Sequence, residues 1–177
     1  MQTIQELDLF SEGPLRARVG RTSLVAGIAA MACGLLVAAA TGTSWYDVLG
    51  GWGPVAAFGA MLVALPAHEL VHAAAFALLA PGCRLSFGAS AGFLYVRAHG
   101  AVLTRARAVA VLLSPAVLVT AALAAAGLAI GGPGTAVLLA GLHLSSCAGD
   151  AVMSACALRC PGCTHVRDTD AGIDLLG

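Results

Sequence analysis

His68-Glu69-Leu70-Val71-His72 is an HExxH motif. On a helix, histidines at i and i+4 project from one face a turn apart, the spacing that grips a zinc ion. Glu69, beside the first of them, is placed to take a proton from a water that such an ion acidifies. The motif lies in an apolar stretch, about residues 53–80, long enough to cross a membrane. Ionisable side chains at bilayer depth cost roughly 2.5–3.5 kcal/mol each on the insertion scale, so their presence there points to a use. Asp150 is the other carboxylate deep in an apolar stretch, and His68, His72 and Asp150 together would leave a fourth zinc position open, as catalytic sites do. His143 lies two helical turns before Asp150 on the same face. It can donate to a developing oxyanion, orient Asp150, or pack between helices.

Those side chains need elements to hold them at one depth. The chain has 177 residues, 59% hydrophobic and 10% charged, with a mean hydropathy of +0.91. A soluble domain carries about 25% charged residues, so the composition is that of a membrane protein, with room for one compact unit. All nine basic residues are arginine, and they flank apolar spans instead of lining one face, which excludes a nucleic-acid footprint.

Four apolar runs are long enough to span: residues 22–41, 53–80, 108–130 and 135–158. A signal peptide ending near Val37-Ala38-Ala39-Ala40 competes for the first, but the polar lead-in and the length of the run argue against it. Trp45, Tyr46 and Trp52 mark a membrane–water interface after that run. Between the second and third spans, Leu85, Phe87, Phe93, Tyr95 and Arg97 with Gly88 and Gly92 read as a short β-hairpin-like segment. Gly131-Gly132-Pro133-Gly134 reads as a tight turn, and Gly27, Gly34, Gly127 and Gly131 as helix contacts. The expected fold is therefore an all-α membrane protein of about four transmembrane helices with that one hairpin. Residues 1–21 form a cytoplasmic segment, 22–158 the membrane domain and 159–177 a cytoplasmic tail, because this orientation puts every arginine inside. The second and fourth spans then run parallel, and His68 and Asp150 each lie about 15 residues, roughly 22 Å, from the outer end. Thin alanine-rich helices hint at a homo-oligomer.

With the HExxH in the second span, Ser114-Pro115 in the third and Gly149-Asp150 in the fourth, the chain resembles the site-2 protease superfamily of intramembrane metalloproteases, and most nearly its compact putative zincin peptidase branch. The resemblance runs from about Trp45 to the tail and includes Asp168-Thr169-Asp170-Ala171-Gly172. It implies Zn2+ held by His68, His72 and Asp150, Glu69 as catalytic base, and a membrane protein or peptide as substrate. Site-2 proteases carry an Asn-x-x-Pro element ahead of a Leu-Asp-Gly; here that region reads His143-Leu144-Ser145-Ser146-Cys147-Ala148-Gly149-Asp150, and His143 is the residue available in place of the Asn. An extended substrate would pair along residues 86–99, with Phe93 and Tyr95 against its side chains.

A different class of reading is a non-catalytic zinc-binding membrane scaffold or regulator with a degenerate site. Transport has less support, since one ionisable cluster is visible and no inverted repeat. Cys160-Pro161-Gly162-Cys163 lacks the second pair of a zinc ribbon, leaving a redox switch, an accessory metal site or incidental thiols.

Overall fold

The computed structural model describes residues 1–9, 13–43, 53–90 and 93–177. Trp45, Tyr46, Trp52 and Gly92 lie outside the described residues. Alanine and leucine, strong helix formers, fill helix α1 (Pro14–Ala40), α2 (Gly53–Leu79) and α3 (Arg105–Ser146). Pro14 opens α1 where a missing N–H costs nothing. Gly42, at φ 69°, closes it: Thr43 N–H donates to Ala38 O at 2.9 Å and Gly42 N–H to Ala39 O at 3.4 Å, the paired bonds of a Schellman cap.

These three helices are long and apolar enough to cross a membrane, and the chain is a membrane protein. Their outward residues agree: Leu24, Ile28 and Leu36 on α1, Phe58, Val63 and Leu78 on α2, and Val117, Leu128 and Ile130 on α3 are all exposed. The third and fourth apolar runs are two helical segments on either side of a reversal. The third and fourth runs belong to one 42-residue element, interrupted at Gly132 (φ 77°, ψ −166°). The expected turn lies there, because Pro133 disfavours helical backbone in the residue before it and only glycine accepts that φ cheaply. A Cβ on Gly127 would meet the backbone of Ala136, nine residues on, so the chain folds back on itself at this point. The fourth run is broken again at Cys147, after which α4 (Ala148–Arg159) begins.

The all-α expectation is corrected by a four-stranded antiparallel sheet, in the order β1-β6-β5-β4. It comprises β1 (Thr3–Asp8), β4 (Val102–Thr104), β5 (His165–Asp168) and β6 (Gly172–Leu176). Asp8 pairs with Gly172, Asp168 with Ile173 and Thr104 with His165. A Cβ on Gly172 would collide with the Leu7 carbonyl, so glycine is required for β1 to approach β6. A separate two-stranded sheet joins β2 (Arg84–Ser90) to β3 (Phe93–His99), with Arg84 opposite His99 and Gly88 opposite Tyr95.

The chain divides into two units. One comprises residues 1–20, 69–115 and 148–177. Its core is Leu7, Phe76, Leu103, Val111, Met153, Val166, Ile173 and Leu175. The other comprises residues 21–68 and 116–147. There, small residues carry helix contacts: a Cβ on Gly34 would press on Leu138, one on Gly134 on Ala38, and one on Gly141 on Ala30. Gly27 faces Ser145 at ordinary contact distance.

Within the first unit, Asp168 ties β5 to the hairpin, its Oδ2 accepting the Ala98 N–H at 2.7 Å. Burial pushes its carboxyl up from 3.8 to about 6, outweighing the Ala98 amide, Arg97 and His99, which act in the opposite direction. A raised pKa means that the folded chain holds the proton more tightly than the unfolded chain. The resulting stability is present below about pH 4 and is lost as pH rises through about 6. Asp168→Asn keeps an acceptor for Ala98 and never ionises. It is expected to stabilise the protein at pH 7–8, by up to about 2–3 kcal/mol, and to leave it unchanged near pH 4. Thermal melts across pH measure this; identical pH dependence in the two proteins would refute it.

Candidate metal centre

Helix α2 carries the HExxH at its middle and places His68 and His72 one turn apart on one face. His72, only 6% exposed, is fixed from two sides within the first unit. Its Nδ1 lies 3.0 Å from the Val111 carbonyl oxygen, and a carbonyl can only accept, so Nδ1 carries the proton and donates it. The Val111 carbonyl is available for a reason written in the sequence. Four residues on stands Pro115, which has no N–H, and that carbonyl therefore lacks its helical donor. The Ser114 hydroxyl (2.7 Å) and His72 Nδ1–H supply the bonds instead. The Ser114-Pro115 pair thus sets the orientation and tautomer of His72 from a neighbouring helix.

With Nδ1–H engaged, Nε2 presents its lone pair, and 3.5 Å from it lies Asp150 Oδ1. Zinc bonds of about 2.0–2.1 Å to nitrogen and oxygen, at tetrahedral angles, place two ligand atoms about 3.4 Å apart. The pair stands at that separation, so the residues present fit a zinc ion. The expectation of a continuous span around Asp150 does not hold. The residue lies in the first turn of α4, after the break at Cys147, where unpaired backbone N–H groups and the helix dipole favour a carboxylate. Its side chain is 14% exposed. Glu69 begins the same first unit and is half-buried, one turn's arc from His72 on α2.

Three buried side chains meet in the second unit: His68 at 9% exposure, His143 at 1% and Cys147 at 2%. His68 Nδ1 stands 3.3 Å from His143 Nε2, the rings meeting edge to face. His143 Nδ1 stands 2.8 Å from Thr120 Oγ1. The ring of His143 is thus lodged between Thr120 and His68. That place suits it to orienting the first zinc-motif histidine, a role different from the oxyanion donor or Asp150 partner that its spacing suggests. Thr120 and Val111 are the contacts of these histidines that the motif spacing does not name. Val111 is legible in the sequence, four residues before a helical proline; Thr120 has no signal.

Tyr95 lies across the hairpin, where its ring would meet a Cβ on Gly88 and the Arg97 guanidinium stacks 4.4 Å from its centre. Burial raises the Cys163 thiol above its ordinary pKa, with Cys160 adding to the effect, which leaves Cys163 a poorer nucleophile; all six cysteines are free thiols.

The structure therefore carries His, Cys and Asp groups that can hold a metal, built around an HExxH helix. No curated protein and no solved structure matches the chain. A family model described as "Putative zincin peptidase" matches residues 61–164, more than half of the chain and the stretch from the HExxH helix to the CxxC, and the chain belongs to that family.

Proposed function

We propose that the protein is an intramembrane zinc metalloprotease, related to the site-2 proteases, that hydrolyses peptide bonds of membrane-associated substrates. The observation that carries this reading is the His72–Asp150 pair, set at a zinc edge length with the His72 tautomer fixed by Val111. His68 is the third ligand, since it shares a helix face with His72 one turn away and its Nδ1 is turned to His143. A bound zinc would supply Lewis acidity and bring the pKa of a water near neutrality. Glu69 is the residue that would accept a proton from the attacking water and pass it to the leaving amine. Asp150 balances charge, and His143 holds the His68 ring against rotation.

A helical substrate hides its amides in its own hydrogen bonds, so it must be extended to react. Strand β2 offers an edge with no strand partner among the described residues, and Phe87 on it is 59% exposed. An unwound substrate segment adds there as a third strand. The membrane is the cell membrane, with both ends of the chain in the cytoplasm. Two observations support this: β1 and β6 are hydrogen-bonded in one sheet, so the two end segments share a side, and Arg16, Arg18 and Arg21 follow β1 closely.

The test is metal removal. Purified protein is expected to carry one zinc per chain by elemental analysis, to lose hydrolysis on chelation, and to regain it with one equivalent of zinc. Hydrolysis by fully metal-free protein would overturn the reading.

A further inference from the structure

We propose that His68 Nδ1, His143 Nε2 and Cys147 Sγ form a second cation site, for a thiophilic d10 ion such as Zn2+ or Cu+. The three atoms lie 3.3, 3.8 and 3.9 Å apart. With metal bonds of about 2.0–2.1 Å to nitrogen and about 2.3 Å to sulfur, a trigonal or tetrahedral face has edges of about 3.4–3.6 Å (N to N) and 3.6–3.8 Å (N to S). The triangle needs adjustments of a few tenths of an ångström at most. All three ligands are buried within one unit of the fold, where a soft His2Cys set favours these ions over calcium or magnesium.

The sequence supports the same grouping. His143 and Cys147 stand four apart, the spacing that also pairs His68 with His72, so each of two helical segments presents ligands a turn apart. Behind His143, Thr120 engages Nδ1 and leaves Nε2 to face the triangle, the outer support that metal-binding histidines have. Binding releases the Cys147 thiol proton to solvent and replaces the His68–His143 hydrogen bond by two metal–nitrogen bonds.

The consequence for the proposed hydrolytic centre, and only this part rests on that reading, is competition. A neutral imidazole has one lone pair. A cation on His68 Nδ1 leaves the proton on Nε2, and His68 is then withdrawn from the other set. A thiophilic ion in this site is an inhibitor that acts by removing a ligand.

Cobalt(II) is the probe, because a thiolate ligand gives it an intense near-ultraviolet charge-transfer band. Metal-free wild type, Asp150→Ala, Cys147→Ser and His143→Asn are titrated in detergent. The band is expected in wild type and, at equal or higher affinity, in Asp150→Ala. It is expected to vanish in Cys147→Ser and to require at least about ten-fold more cobalt in His143→Asn. Absence of the band from both wild type and Asp150→Ala overturns the site. So does a band undiminished in Cys147→Ser, which would assign it to thiols such as Cys160 and Cys163. If Cys147→Ser does not fold, an undiminished band in His143→Asn overturns the site in its place. Failure of the hydrolytic reading appears separately, in Cys147→Ser protein, as zinc content unaffected by a further Asp150→Ala.

Discussion

Glu69→Gln is expected to keep its zinc and to lose turnover by about 10²- to 10⁴-fold, the usual contribution of a positioned general base. Gln preserves the volume of Glu and one carbonyl acceptor, so helix α2 and the orientation of His68 and His72 are retained; what disappears is the ability to accept a proton. The two measurements must be made on one preparation. Zinc per chain by elemental analysis comes first, then cleavage of a membrane-tethered reporter peptide in proteoliposomes. Retained zinc with abolished cleavage is the expected result. Retained zinc with unchanged cleavage removes Glu69 from the mechanism. Wild-type protein that holds zinc yet cleaves nothing, with Glu69→Gln indistinguishable from it, would select the scaffold or regulator reading instead.

The helices are legible in the sequence because apolar run length decides them: Pro14–Ala40 and Gly53–Leu79 carry few groups that compete with helical hydrogen bonding. The sheet is not. Strands β1 and β6 hold six and five residues and lie at opposite ends of the sequence; β1 buries one side chain, Leu7, and β6 sets Asp174 between buried Ile173 and Leu175. Only partners brought together by the fold make such short strands persist. The break at Cys147 is hidden for the opposite reason, since Ser146-Cys147-Ala148-Gly149 interrupts no apolar pattern and contains no proline. Depth counted along a continuous helix therefore sets Asp150 mid-span, whereas it opens a new one. Ser114-Pro115 shows the intermediate case. The pair is visible and matches a family pattern, but its work, freeing the Val111 carbonyl for His72, depends on which helix stands opposite.

Asp150→Ala is expected to lower zinc affinity by at least two orders of magnitude, more than the 10–100-fold typical of outer-shell changes, because it deletes a ligand. Two accounts of the 3.5 Å His72–Asp150 pair predict different outcomes. If the pair were only an ion pair in an apolar interior, the carboxylate would leave an uncompensated partner on removal, and the effect would be on stability, about 3–5 kcal/mol, with metal content indifferent. If the pair is a zinc edge, metal content falls first and stability falls by the lost binding energy, which excess zinc partly restores. His72 Nδ1–H donates to Val111, and a metal-free ion pair would require a second proton on Nε2, an imidazolium buried at 6% exposure. A lone pair aimed at a shared cation leaves the His72 ring neutral, with the cation's charge offset by the Asp150 carboxylate. Zinc competition against a chromophoric chelator, run on Cys147→Ser protein and on its Asp150→Ala and Asp150→Asn derivatives so that the second site does not contribute, with thermal melts in parallel, separates the accounts. Loss of zinc in both variants, with their melting temperatures partly restored by excess zinc, is expected. Equal zinc affinity in all three proteins would remove Asp150 from the metal centre.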